Sequence, residues 1–198
     1  MTDTRPSNGQ SELNSALRET FLSRQEIYDG KILHVEQWQV RCANGDIAPR
    51  EVVLHKGAAA VVPVFEDGTT VLVRQHRVVV DRITYEIPAG KLDSAGEDPL
   101  DCAIRELHEE TGLTAQRMTK LTSLLTTPGF CSEQIAIYLA QGLTQGEADP
   151  DPDEALRLVR LPLSEAVSMV LRGEIRDGKT VCGLLLAERA LASRGKDA

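Results

Sequence analysis

The chain has 198 residues, enough for one domain with a small appendage and for a core that needs no disulfide or metal staple. A composition of 41% hydrophobic and 26% charged residues excludes collagen-like and disordered classes, and no apolar run approaches the length a bilayer requires. The formal net charge of −8 argues against nucleic acid or an anionic membrane as a general partner, because both would repel it.

Taken in chain order, residues 1–20 read as a flexible N-terminal tail with a short helix over Glu12–Thr20. The opening MTDTRPSNGQSELNS has neither the basic start nor the apolar stretch of a secretory signal, so a cytoplasmic location is expected. Residues 21–56 turn strand-like: Lys31–Val40 alternates, Asn44-Gly45 signals a hairpin, and Glu51–His55 resumes an extended run. This is an antiparallel extension ahead of a main domain over 57–193, with 194–198 as a C-terminal tail. In the main domain, strands are expected at Gly57–Phe65, Thr69–Gln75, Thr84–Pro88, Lys120–Leu125, Gln134–Ala140 and Leu156–Leu161. Helices are expected at Pro99–Thr111, Ser164–Arg172 and Thr180–Ala192, giving a mixed sheet flanked by helices, an α/β or α+β domain. In the first helix Asp98 suits the N-cap, Pro99 the first turn and Gly112 the position past the end. Its apolar stripe reads Leu100, Ala103, Ile104, Leu107, Thr111. The four cysteines form no C-x-x-C pair and the four histidines are scattered, which favours reduced thiols and structural histidines over a zinc site.

The acidity is local. Residues 97–110 hold six acids and one base, and residues 147–154 (EADPDPDE) hold five acids and no base, so each carries −5 and the rest of the chain is slightly basic at +2. Glu106 and Glu110 stand one helical turn apart, with Glu109 three residues from Glu106, and Arg105 offsets only part of a repulsion of about 0.2–0.5 kcal/mol per pair. Hard Mg²⁺ prefers such oxygen ligands and is commonly completed by substrate phosphates, so this face suits metal-assisted phosphate chemistry; a merely solvated acidic face is the alternative. Glu97 and the Pro88-Ala89-Gly90 turn are placed to join it.

Gly90, Glu97 and the run Arg105-Glu106-Leu107-His108-Glu109-Glu110-Thr111-Gly112-Leu113 closely resemble the Nudix box, G-x5-E-x7-R-E-U-x-E-E-x-G-U with U aliphatic. Six residues rather than five separate Gly90 from Glu97, and the rest of the pattern matches in full. Glu86-Ile87-Pro88-Ala89-Gly90, Arg74-Gln75-His76-Arg77, Pro128-Gly129-Phe130 and the acidic segment from Glu147 look like the ADP-ribose pyrophosphatase branch of the Nudix hydrolases.

The resemblance implies a Nudix-type α/β/α sandwich and Mg²⁺- or Mn²⁺-dependent hydrolysis of ADP-ribose, a nucleoside diphosphate sugar, to AMP and ribose 5-phosphate. It also implies a homodimer in which the N-terminal strands cross to the partner and help to bind adenosine. Residue by residue, it makes Glu106, Glu109 and Glu110 metal ligands, with the Ala89 carbonyl and Glu97 beside them, and it gives Arg105 the task of orienting the carboxylates. Arg77 becomes a diphosphate ligand, with a surface strand arginine as the alternative, and Glu51 an adenine contact from the other subunit. Glu154 matches the loop glutamate that positions or deprotonates the attacking water, with Asp153 and Glu133 in reserve, although an acidic linker is the plainer use of that segment. Phe130 and Trp38 are candidates for stacking on a base, with core packing the alternative for both. Other nucleoside diphosphate derivatives, such as sugar nucleotides or dinucleotides, and a non-catalytic ADP-ribose-binding module are the competing readings.

Overall fold

The computed structural model describes residues 15–94, 96–149 and 155–194. These divide into two compact units: one runs up to His55 and takes in Thr127–Ser132, and the other holds Lys56–Thr126 and the described residues from Glu133 onward.

In the first unit, β1 (Thr20–Asp29), β2 (His34–Arg41) and β3 (Ile47–Leu54) form an antiparallel sheet in that order. The expected hairpin between β2 and β3 closes at Asn44-Gly45, where Gly45 takes φ 93°, a left-handed conformation that costs a glycine little. Of the helix expected over Glu12–Thr20, the described residues show helical backbone only at Ser15 and Ala16, and Thr20 already pairs with Arg41. The β-rich run from Phe21 onward wins because β2 offers it a full ladder of partners. Thr127–Ser132 docks on the end of β3: the Val53 N–H donates to the Phe130 carbonyl at 2.7 Å and the Ser132 N–H to the Val53 carbonyl at 2.9 Å.

In the second unit, β4 (Ala58–Pro63) and β9 (Gln134–Gln145) run parallel at the centre of a sheet ordered β7-β4-β9-β8, with β7 at Ala89–Lys91 and β8 at Leu113–Leu125. A second sheet is ordered β10-β5-β6, from Arg157–Pro162, Thr69–Arg77 and Arg82–Glu86. The helices are α1 (Pro99–Thr111), α2 (Leu163–Leu171) and α3 (Gly178–Arg194). All six residues of β4 are buried, and alternate side chains feed two separate cores. Ala58, Ala60 and Val62 pack with Ala166 and Val167 of α2 and Leu184 and Ala187 of α3. Ala59 and Val61 pack with Cys102, Ala103 and Leu107 of α1. Helices therefore cover both faces of the mixed sheet, which is the expected α/β/α sandwich.

The bounds of α1 match the expectation. Asp98 accepts the Leu100 N–H at 2.9 Å, and Gly112 takes φ 71° while its N–H returns to the His108 carbonyl. The buried stripe differs: Ile104 is 48% exposed, whereas Cys102 and Glu110 are buried. The cause is β7, a three-residue strand with no sequence signal of its own. It lies along α1 on the Cys102 side, with the Cys102 thiol 3.5 Å from the Lys91 carbonyl, and turns the covered face away from Ile104.

Candidate active site

Two structural devices of the second unit build the site. The first is α1, whose two caps fix its register and so put Glu106, Glu109 and Glu110 where helical spacing dictates. Glu110 is buried at 6% exposure and accepts the Ala89 N–H at 3.3 Å. The Glu106 carboxylate lies against Gly90, where any side chain would collide with it. Arg105 ties the remaining carboxylates together, with Nη1 2.6 Å from Glu106 and 3.0 Å from Glu109, and Nη2 3.5 Å from Glu97. Burial opposes its charge, yet Glu106 and Glu109 hold it firmly protonated. Burial also pushes the Cys102 thiol up to about 12, with Arg105 opposing and Glu106 adding to the rise.

The second device is the segment Glu86–Gly90. Glu86 is 2% exposed and accepts Arg77 Nε and Nη2, each at 2.8 Å, the Thr84 hydroxyl at 2.7 Å and Lys179 Nζ at 2.5 Å. Burial would raise its carboxyl, but Arg77 and Lys179 outweigh that effect and hold it down at about 2. Glu86 in turn raises the Arg77 guanidinium against partial burial, and the fields of Asp177 and Glu110 add to the shift. Arg77 therefore stands within the electrostatic reach of one α1 carboxylate, that of Glu110.

The structure thus brings together Arg105, Glu97, Glu106 and Glu109 as one ion-paired cluster, with Ala89 on Glu110 beside it. Among the described residues no three His, Cys, Asp or Glu side chains stand ready-made as a metal cage, because Arg105 occupies the space between Glu106 and Glu109. Glu51 and Phe130 both fall in the first unit, Glu51 exposed on β3 and Phe130 in the segment paired with its end. Trp38 of β2 meets the Phe21 ring edge-on at 5.3 Å between centroids. Glu133 is half-buried at the entry to β9. Glu154 and Asp153 lie outside the described residues. The loop that leads to them is tethered to α1 through the Asp149 N–H, which donates to the Glu109 carbonyl at 3.0 Å. Sequence reasoning names Glu86 only within the motif Glu86-Ile87-Pro88-Ala89-Gly90, without a role of its own, and passes over Lys179. They are 93 residues apart, and only a charged pair flanking an apolar turn and a helix start hinted at either.

No described helix is long and apolar enough to cross a membrane. Residues 54–184 match the family model described as the NUDIX domain. The chain is 38% identical over 167 residues to the ADP-ribose pyrophosphatase of Bacillus subtilis, covering 83% of this chain and 90% of that one. It is 40% identical over 166 residues to the ADP-ribose pyrophosphatase of Mycobacterium tuberculosis, covering 83% and 80%. A methanol dehydrogenase activator of Bacillus methanolicus is 38% identical over 171 residues, covering 85% and 92%. A solved structure described as an ADP compounds hydrolase superposes with a TM-score of 0.79 at 26% identity, covering 90% of this chain and 96% of that one. With a family model spanning most of its length and relatives 38–40% identical over 83% of it, the chain belongs to the Nudix family.

Proposed function

We propose that the chain hydrolyses ADP-ribose to AMP and ribose 5-phosphate. The observation that carries this reading is the placement of the Glu106 and Glu110 carboxylates against Ala89-Gly90, with Arg77 in the field of Glu110, in a chain akin to enzymes named for that reaction.

The donor set is all oxygen and anionic, which fits a hard divalent cation, and Gly90 leaves the room a side chain would fill. Glu106 and Glu110 with the Ala89 carbonyl, joined by Glu109 and Glu97, would hold Mg²⁺ or Mn²⁺, which supplies charge neutralisation at the diphosphate and polarisation of its phosphorus. Arg105 orients these carboxylates by ion pairing. Arg77, already locked on Glu86, presents its remaining guanidinium donors to a phosphate oxygen. A water oxygen bonds to phosphorus as the bridging P–O bond breaks, the departing phosphate keeps the electron pair, and the water's proton passes to a loop carboxylate, which we assign to Glu154 with Glu133 in reserve. Glu51 contacts adenine from the partner subunit of a homodimer formed through the N-terminal strands, and Phe130 stacks on the base.

A substrate panel with Mg²⁺, resolved by chromatography, tests the reading. ADP-ribose should give AMP and ribose 5-phosphate at the highest kcat/KM, and Glu106→Gln or Glu109→Gln should fold and lose about a hundredfold or more. Preference for a sugar nucleotide or a dinucleotide would move the substrate within the family. Wild-type turnover surviving either substitution would remove the α1 carboxylates from the mechanism. The kinship with a protein named as a methanol dehydrogenase activator is the reason the panel must be broad.

A further inference from the structure

A cavity of about 840 Å³ in the second unit is lined, among the described residues, by the apolar run Val78–Val80, by Arg77, Arg82, Arg176 and Lys179, and by two carboxylates, Glu86 and Asp177. The lining is therefore basic overall, in a protein whose total charge is −8. One of the two carboxylates is also the more deeply buried: Glu86 lies beneath the wall and receives Arg77 in a two-pronged bond and Lys179 in a third. Lys179 is itself largely covered, at 12% side-chain exposure, and its ammonium also reaches Asp177 at 3.1 Å. Asp177 accepts the Thr180 hydroxyl at 2.6 Å, and the Thr180 oxygen accepts the Ile87 N–H at 2.9 Å. This chain of bonds bolts the start of α3 to the residue next to Glu86.

For stability alone this is a poor design, because a buried ion pair replaced by apolar packing is often neutral or stabilising. What the arrangement does supply is orientation. Arg77 spends Nε and Nη2 on Glu86, which leaves the Nη1 donors uncommitted among the described residues. Two carboxylates take Lys179, and an ammonium has three donors. Both side chains would ordinarily lose substantial rotamer freedom on gripping an anion, and here that freedom is already gone.

We propose that Glu86 is a positioning residue for substrate binding, holding Arg77 and Lys179 as an oriented cation pair on the cavity wall that grips the substrate's diphosphate. This rests on the function proposed above and adds Lys179, from α3, to the groups that touch substrate.

The sign of one measurement separates positioning from simple electrostatics. Glu86→Gln removes a negative charge from a basic cavity, so a field effect alone would tighten anion binding. Positioning requires the reverse: KM for ADP-ribose rises about tenfold while kcat changes by less than about threefold, and inorganic pyrophosphate titrated calorimetrically in Mg²⁺ binds about tenfold more weakly. Lys179→Gln should shift both readouts the same way and Lys179→Arg, which keeps the charge, should restore most of the loss. The Lys179 pair also tests the clamp from its other side if Glu86→Gln does not fold. Pyrophosphate binding in Glu86→Gln as tight as in the wild type, or Lys179→Gln indistinguishable from the wild type, overturns the proposal. If the wild type fails to cleave ADP-ribose while pyrophosphate binding follows the expected pattern, the proposed substrate is wrong and the clamp stands.

Discussion

Gly90 shows how a single residue can serve chemistry without serving stability. A methyl group there would lie 2.5 Å or less from three atoms of the Glu106 carboxyl group, yet Gly90 does not occupy the left-handed region, so alanine takes the same backbone without strain. What must move is the tip of a flexible side chain. Gly90→Ala should therefore leave the thermal midpoint within a few degrees of the wild type, cut ADP-ribose turnover about tenfold or more, and raise the Mg²⁺ concentration needed for half-maximal rate. A large fall in the midpoint with an unchanged Mg²⁺ dependence would show that the contact is merely packing. Glu86 differs in that its charge also contributes to the fold. Its carboxyl sits at about 2 in the folded protein against an ordinary 4.5, a depression that stabilises the folded state at every pH above 4.5 and vanishes as pH falls toward 2. The stability difference between wild type and Glu86→Gln, followed by urea unfolding, should be of the order of 3 kcal/mol at neutral pH and shrink across that acid window. A difference that stays constant from pH 5 to 2.5 would mean that Arg77 and Lys179 do not hold the carboxyl down.

At the scale of elements, α1 is legible because its signals are local: an aspartate whose side chain caps the first turn, a proline at its first position, and a glycine at φ 71° after the last turn. The face it buries differs from the expected stripe because that face depends on β7, three residues that become a strand only by pairing with Ala58–Ala60. β8 was read from Lys120 but begins at Leu113, since its polar first half is held by the antiparallel ladder with β9 rather than by its own propensity. The same division runs through the site. Glu106, Glu109 and Glu110 follow from spacing on one helix, whereas Glu86 and Lys179 meet only when α3 packs back on the strand leading into the turn. Gly112 makes the useful contrast with Gly90. An added methyl group there would meet the Gly146 carbonyl at 2.6 Å and the Ala148 nitrogen at 2.8 Å, which are backbone atoms that cannot swing aside, and the positive φ adds strain. Gly112→Ala should cost about 2 kcal/mol or more in denaturant unfolding, with activity falling only as the folded fraction falls. Cys102, fully buried with its thiol pushed up to about 12, should resist iodoacetamide in the native state while the partly exposed Cys42 and Cys131 react, and should label only on unfolding. Native labelling of Cys102 at a rate matching Cys42 would show that α1 separates from β7.

For the molecule as a whole, the acidity is concentrated at residues 97–110, in and just before α1, and at residues 147–154, which follow β9, so the net charge of −8 says little about the remaining surface. More informative is β1, whose ten residues are all exposed although Phe21, Leu22, Ile27 and Tyr28 are large and apolar. Among the described residues it pairs with β2 on one side only, so its other edge carries unmatched backbone groups that invite a further strand. Monomeric proteins shorten, charge or cover such an edge, and a second copy of the same strand, related by a two-fold axis, would cover it with its own apolar partner. The chain should therefore run as a dimer in size-exclusion chromatography with light scattering, and Ile27→Lys with Tyr28→Lys should shift it toward the monomer by burying charge in the interface. Because Glu51 is proposed to reach adenosine across that interface, the monomerised protein should show a raised KM for ADP-ribose, while its α1 carboxylates still support cleavage of substrate at saturating concentration. A doubly substituted protein that keeps the wild-type mass and KM would place the interface elsewhere. A monomer with wild-type KM would separate the two claims, keeping β1 as the interface and removing Glu51 from adenosine binding across it.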